Sequence, residues 1–158
     1  MKEITEKEAL NKAAAYCSSA ERCQSEIESK LANWGVDDSL KEIIIDKLRK
    51  EKYFNENRYC LSFINDKLRF NKWGKLKIGQ ALRQKGIASS LIKETLEQTD
   101  PTVYNEILVS LINSKRKITK ATNKYELNGK LIRFALSRGF ELSEIQLCIK
   151  KTDNEGMD

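Results

Sequence analysis

Residues 69–87 read RFNKWGKLKIGQALRQKGI. Gly74 and Gly79 stand among lysines, the combination that a phosphate-cradling loop needs. In a nucleotide P-loop, GxxxxGK is followed by Ser or Thr. The lysine reaches the terminal phosphates and the hydroxyl binds magnesium. Here GKLKIG is followed by Gln80 and Ala81, so both chemical groups are missing, and no strand pattern precedes it. The glycines therefore call for another explanation. Other catalytic or metal chemistry is equally thin. The chain has no histidine, and Cys17, Cys23, Cys60 and Cys148 form no CxxC pair. A structural zinc site needs four closely placed thiolates or imidazoles. Asp37 and Asp38 sit where a helix begins, the usual place for a capping carboxylate. The expectation is a protein that is not an enzyme and carries no metal and no cofactor.

What remains is positive charge. The net charge is +6, and the first 60 residues contribute none of it. Residues 67–93 contain eight Lys or Arg and no acid. A second tract, 115–138, holds Lys115, Arg116, Lys117, Lys120, Lys124, Lys130, Arg133 and Arg138 against Glu126 alone. Such tracts suit phosphate contacts, which need accessible cations but no base-reading geometry. A merely solvated basic face is the competing reading. The residues assigned to binding are Lys67, Arg69, Lys72, Lys75, Lys77, Arg83 and Lys85, then Lys115, Arg116, Lys117 and Lys120. Phe70 and Trp73 could stack on bases, although aromatics at helical positions more often belong to a core.

The elements that must carry these residues repeat. Gly35, Gly86 and Gly139 lie 51 and 53 residues apart. Eight residues before each stands Ile27, Ile78 or Leu131, and directly after each comes Val36, Ile87 or Phe140. Ten after comes Ile45, Leu96 or Ile149. A shared period with shared apolar positions marks an internal repeat. In each unit an amphipathic helix ends at the glycine, which takes the left-handed conformation. A cap at Asp37, Ser89 or Ser143 then opens the next helix. Upstream there is room for a third helix at roughly 4–18, 56–71 and 102–118. The fold class expected is all-α, with three tandem three-helix bundles forming an elongated, modular protein. The repeats run over 1–53, 54–99 and 100–151, with a flexible tail at 152–158. Ile27, Leu31, Ile78, Leu82 and Phe134 are assigned to cores. No apolar run approaches a membrane span, and the charged start MKEITEKEAL has no signal core. A cytoplasmic protein with reduced, buried thiols is expected, without membrane contact.

Residues 54–87, FNENRYCLSFINDKLRFNKWGKLKIGQALRQKGI, resemble the central signature of the RecX family, regulators of the bacterial recombinase RecA. The residues that carry the match include Arg58, Phe63, Gly74, Ile78, Leu82 and Gly86. RFALSRGF at 133–140 is similar to the end of the family's third repeat, through Arg138, Gly139 and Phe140. The usual paired acids before the arginine appear as Asn55, Glu56 and Asn57, which alters any cap made there, and Cys60 replaces the usual small residue. The resemblance implies a monomeric, non-catalytic regulator in DNA repair, homologous recombination and the SOS response. Such a protein would bind in the groove of the RecA–DNA filament and contact single- and double-stranded DNA. It would damp ATP hydrolysis, strand exchange and co-protease activity. The alternative is a helical DNA-binding protein unrelated to RecA, either sequence-independent or reading an operator.

Overall fold

The computed structural model describes residues 3–155. Every regular element among them is helical: α1 (Glu6–Ser19), α2 (Gln24–Asn33), α3 (Asp38–Lys50), α4 (Glu56–Asp66), α5 (Lys75–Gln84), α6 (Ser89–Glu97), α7 (Pro101–Ile118), α8 (Lys124–Ser137) and α9 (Leu142–Glu155). A π-helical turn, Lys67–Asn71, continues α4. The chain divides into two compact units. One comprises residues 1–63 and 82–92, the other 64–81 and 93–158, so α4, α5 and α6 are shared between them.

In the first unit α1, α2 and α3 pack against one another. Ala9, Ala13 and Cys17 line the inner stripe of α1, facing Ile27, Leu31, Ile44 and Leu48. These positions follow the i, i+4 spacing that puts apolar side chains on one helix face. In the second unit α7, α8 and α9 pack mutually. Leu108, Ile112, Leu131, Ala135, Phe140 and Ile145 are deeply buried among these three helices and the turns that join them. Phe140 meets the Tyr104 ring at 5.3 Å.

The helix ends are built alike. At Gly35, Gly86 and Gly139 the backbone turns left-handed, with φ of 80°, 81° and 95°. The following N–H reaches back five residues: Val36 to Leu31, Ile87 to Leu82 and Phe140 to Ala135. This is the Schellman closure, which satisfies carbonyls that a helix end otherwise leaves bare. The end of α3 uses the same closure with a lysine, Lys52, at φ 60°. There Tyr53 N–H reaches the Leu48 carbonyl.

Several local expectations need correction. Asp37 does cap α3 by accepting from Leu40 N–H at 2.9 Å. Ser89 and Ser143 instead lie inside the helices they were expected to cap. At α9, the Glu144 carboxylate accepts from Glu141 N–H at 3.0 Å, which satisfies an orphan donor without a serine. The altered acids before Arg58 still yield a cap, because Asn55 accepts from Arg58 N–H at 2.9 Å. Phe134, assigned to a core, is only half-buried. The inward position of α8 belongs to Ala135, four residues after Leu131. Residue 152 does not begin a loose tail. Thr152 is buried in α9, with its hydroxyl donating to the Cys148 carbonyl and accepting from Arg116 Nη2 at 2.9 Å. The helix runs on to Glu155, and the last three residues of that expected tail, 156–158, lie outside the described residues.

Candidate nucleic-acid interface

Gly74 resolves the question of its own stretch. Its N–H donates to the Arg138 carbonyl at 2.7 Å, and Leu76 N–H donates to the Gly139 carbonyl at 3.0 Å. A Cβ added at Gly74 would sit 2.4 Å from Gly139 carbonyl carbon and oxygen. A Cβ at Gly139 would sit 2.4 Å from Lys77 Cβ. The two glycines let the end of α8 and the start of α5 touch backbone to backbone. Hence Gly74 serves packing, and Gly79 is buried within α5. The signature residues around it are structural as well. Ile78 and Leu82 are fully buried, Phe63 stacks on Tyr59 at 5.9 Å, and Arg58 pairs with Glu21 at 2.8 Å.

The cations assigned to binding fall into two sorts. Some are engaged by the fold. Lys72 Nζ donates to Ser110 Oγ at 2.6 Å, and Arg69 Nε donates to Asn65 Oδ1 at 2.7 Å. Lys85 Nζ lies 3.3 Å from Glu26. Arg116 donates to Asn113 and Thr152. Lys75 sits over the Tyr104 ring at 4.8 Å, while Tyr104 Oη accepts from Lys75 N–H at 3.0 Å. Burial drives the Tyr104 phenol pKa upward, so this acceptor stays neutral. Lys67 and Lys77 place their ammonium groups 4.9 and 4.6 Å from the Trp73 centroid. The other sort reaches water: Arg83 on α5, Lys117 on α7 and Lys120 just beyond it are exposed.

Phe70, which the sequence offers as a possible stacking residue, is 81 % exposed on the π-helical turn, two residues before Lys72 at φ 54°. One feature escapes sequence reasoning: an open groove of about 490 Å³ between the end of α7 and the face of α8. It gathers Lys115, Ile118, Lys120, Lys130, Arg133 and Phe134. Lys130 and Arg133 stand in the second basic tract, yet a linear reading gives no reason to pair them with Lys115 and Lys120. Only the packing of α7 on α8 joins them. Lys130 Nζ donates to the Lys120 carbonyl at 2.8 Å and lies 3.1 Å from Glu126. The Thr122 hydroxyl at 2.5 Å, then Lys130, hold the Glu126 carboxyl down at about 2. Among the described residues, no group of three or more Cys, Asp or Glu could hold a metal ion. Nor is any helix long and apolar enough to cross a membrane.

Fold and surface together define an all-α protein of three-helix units, closed by glycine and edged with cationic side chains. Comparison with known proteins gives that class a family. Residues 55–96 match the family model of RecX, second three-helix domain. Regulatory protein RecX of Clostridium perfringens is 29% identical over 140 residues, which covers 87% of this chain and 65% of the relative. Regulatory protein RecX of Clostridium beijerinckii is 30% identical, covering 82% and 61%. The chain thus spans less than two thirds of the length of these relatives. A crystal structure of regulatory protein RecX overlays with a TM-score of 0.80 at 25% identity, over 92% of this chain and 73% of that one. The RecX structure from Lactobacillus salivarius gives 0.84 at 22% identity, over 94% and 96%. Residues 55–96 thus carry the RecX match, and the chain is similar to RecX regulatory proteins over most of its own length.

Proposed function

We propose that this protein binds the filament that a RecA recombinase forms on DNA and restrains it. The restraint falls on ATP hydrolysis, recombination and co-protease activity, and this chain catalyses no reaction. The observation that carries the reading is the match of residues 55–96 to the RecX second three-helix domain, extended across most of the chain by relatives named as regulatory proteins. Its charge distribution supports it. The exposed cations Arg83, Lys117 and Lys120 suit phosphates or acidic filament surfaces. In this reading the repeats at 1–53, 54–99 and 100–151 act as successive modules of one monomer. Weak contacts on one chain gain avidity when their spacing matches a repeating partner.

Co-sedimentation tests this directly. The protein should pellet with filaments assembled by the cognate RecA on single-stranded DNA, at protein concentrations too low to pellet it with DNA alone. Pelleting that depends only on the DNA would instead fit a helical DNA-binding protein unrelated to RecA.

A further inference from the structure

We infer that the groove between α7 and α8 is a binding site for one strand of nucleic acid, taking its phosphates on the rim and a base against the apolar floor. The inference deepens the proposed function and rests on it for biological context, but it concerns a region outside residues 55–96, where the family match lies. Four cations surround the recess: Lys115, Lys120, Lys130 and Arg133. Glu126 is the carboxylate paired within this cluster, so the rim keeps a positive excess. The Phe134 ring is half-buried, with Lys115 Nζ 4.7 Å and Arg138 Cζ 5.0 Å from its centroid. Ile118 is 75 % exposed at the edge, a large apolar side chain left in water beside cations.

This pairing of apolar surface with cations is the make-up of single-strand sites, where bases lie on a platform and the backbone follows the charge. A duplex fits less well, because its bases are stacked inside and only their edges reach the grooves, so no base face is free to lie on the floor. An acidic peptide would satisfy the cations, but carboxylates on a flexible chain leave the planar apolar floor unused. A strand uses both.

The test measures binding of fluorescein-labelled (dT)20 to the full chain by anisotropy at several salt concentrations. Lys120→Glu combined with Arg133→Glu should weaken binding at least tenfold. It should also flatten the salt dependence by about one to two in the log–log slope. Both side chains are exposed, so circular dichroism and melting should match the parent. A charge-matched control, Lys7→Glu with Lys50→Glu on exposed positions of α1 and α3, should lose less than about threefold. Equal losses in both variants, or no loss in the groove variant, would overturn the site. Thymidine monophosphate should not displace the strand at equal nucleotide concentration; displacement would overturn the strand in favour of a discrete phosphate. Inhibition of RecA ATPase, read in parallel, separates the two proposals. A groove variant that keeps strand binding but loses inhibition overturns the groove as a strand site and points to a protein surface there. A wild-type protein that binds the strand through the groove yet never inhibits RecA leaves the site standing and removes the regulatory reading.

Discussion

Three glycines, two in left-handed turns and one at a close backbone contact, have different burdens. Gly35 has open space where a Cβ would go, so Gly35→Ala carries only the left-handed backbone penalty, about 1 kcal/mol. Gly74→Ala drives a Cβ into the Gly139 carbonyl, backbone against backbone, and should cost roughly 2–3 kcal/mol. Gly139→Ala combines both faults, with φ at 95° and Lys77 Cβ in the way, and should be the most damaging. Urea unfolding checks the order; a Gly35 variant as unstable as the Gly74 variant would contradict it. Lys52 offers the reverse case. It closes α3 left-handed without being glycine, so Lys52→Gly should raise stability by roughly 0.5–1 kcal/mol. Glu56 supplies a pH-dependent prediction. Burial raises its carboxyl pKa, and Oε2 has no hydrogen-bond partner. An acid with a raised folded pKa binds its proton more tightly when folded. Its ionisation therefore subtracts stability as pH rises through the folded value. Glu56→Gln should melt higher than the parent at pH 7, and the gain should vanish below the ordinary carboxylate range. A gain that persists at low pH would mean that charge is not its source.

At the scale of elements, much was legible. The upstream helices expected at 4–18, 56–71 and 102–118 correspond to α1, to α4 with its π-helical turn, and to α7. Hydrophobic spacing is a local signal, and so is Pro101 in the first turn of α7, where Asp100 caps the helix by accepting from Thr102 N–H. Phe134 was misplaced because size and hydropathy nominate it, whereas the inward line of α8 runs Leu131, Ala135. Close approach of neighbouring helices favours the small residue inside and leaves the ring at the rim. Leu131→Ala should therefore cost about 3 kcal/mol, and Phe134→Leu about 1 kcal/mol or less. Comparable losses would restore Phe134 to the core. The groove was illegible for a related reason: Lys120 and Arg133 become neighbours only through helix packing. Lys77 shows the same limit from the other side. Its ammonium lies over Trp73 and its stem abuts Gly139, so reversing its charge would disturb packing as well as binding. With no histidine in the chain and Glu126 held near 2, strand binding at fixed ionic strength should change less than about twofold between pH 5.5 and 8.5.

For the whole molecule, the division of labour is between a signature that builds the fold and cations that stand outside it. Most of the residues that mark the family close helices, fill cores or pair across helices. This explains why the family could be recognised from Gly74, Ile78, Leu82 and Gly86 while the binding surface could not be assigned from the same motif. It also sets what a surface variant should do: Arg83→Glu with Lys120→Glu should leave melting intact while weakening any electrostatic association, increasingly so at low salt. The most direct test of the regulatory account is DNA-dependent ATP hydrolysis by the cognate RecA on single-stranded DNA, with this protein titrated in below one copy per RecA protomer. The account predicts inhibition at those ratios, since simple competition for bare DNA would need far more protein. Undiminished hydrolysis, alongside tight binding to naked DNA, would contradict it.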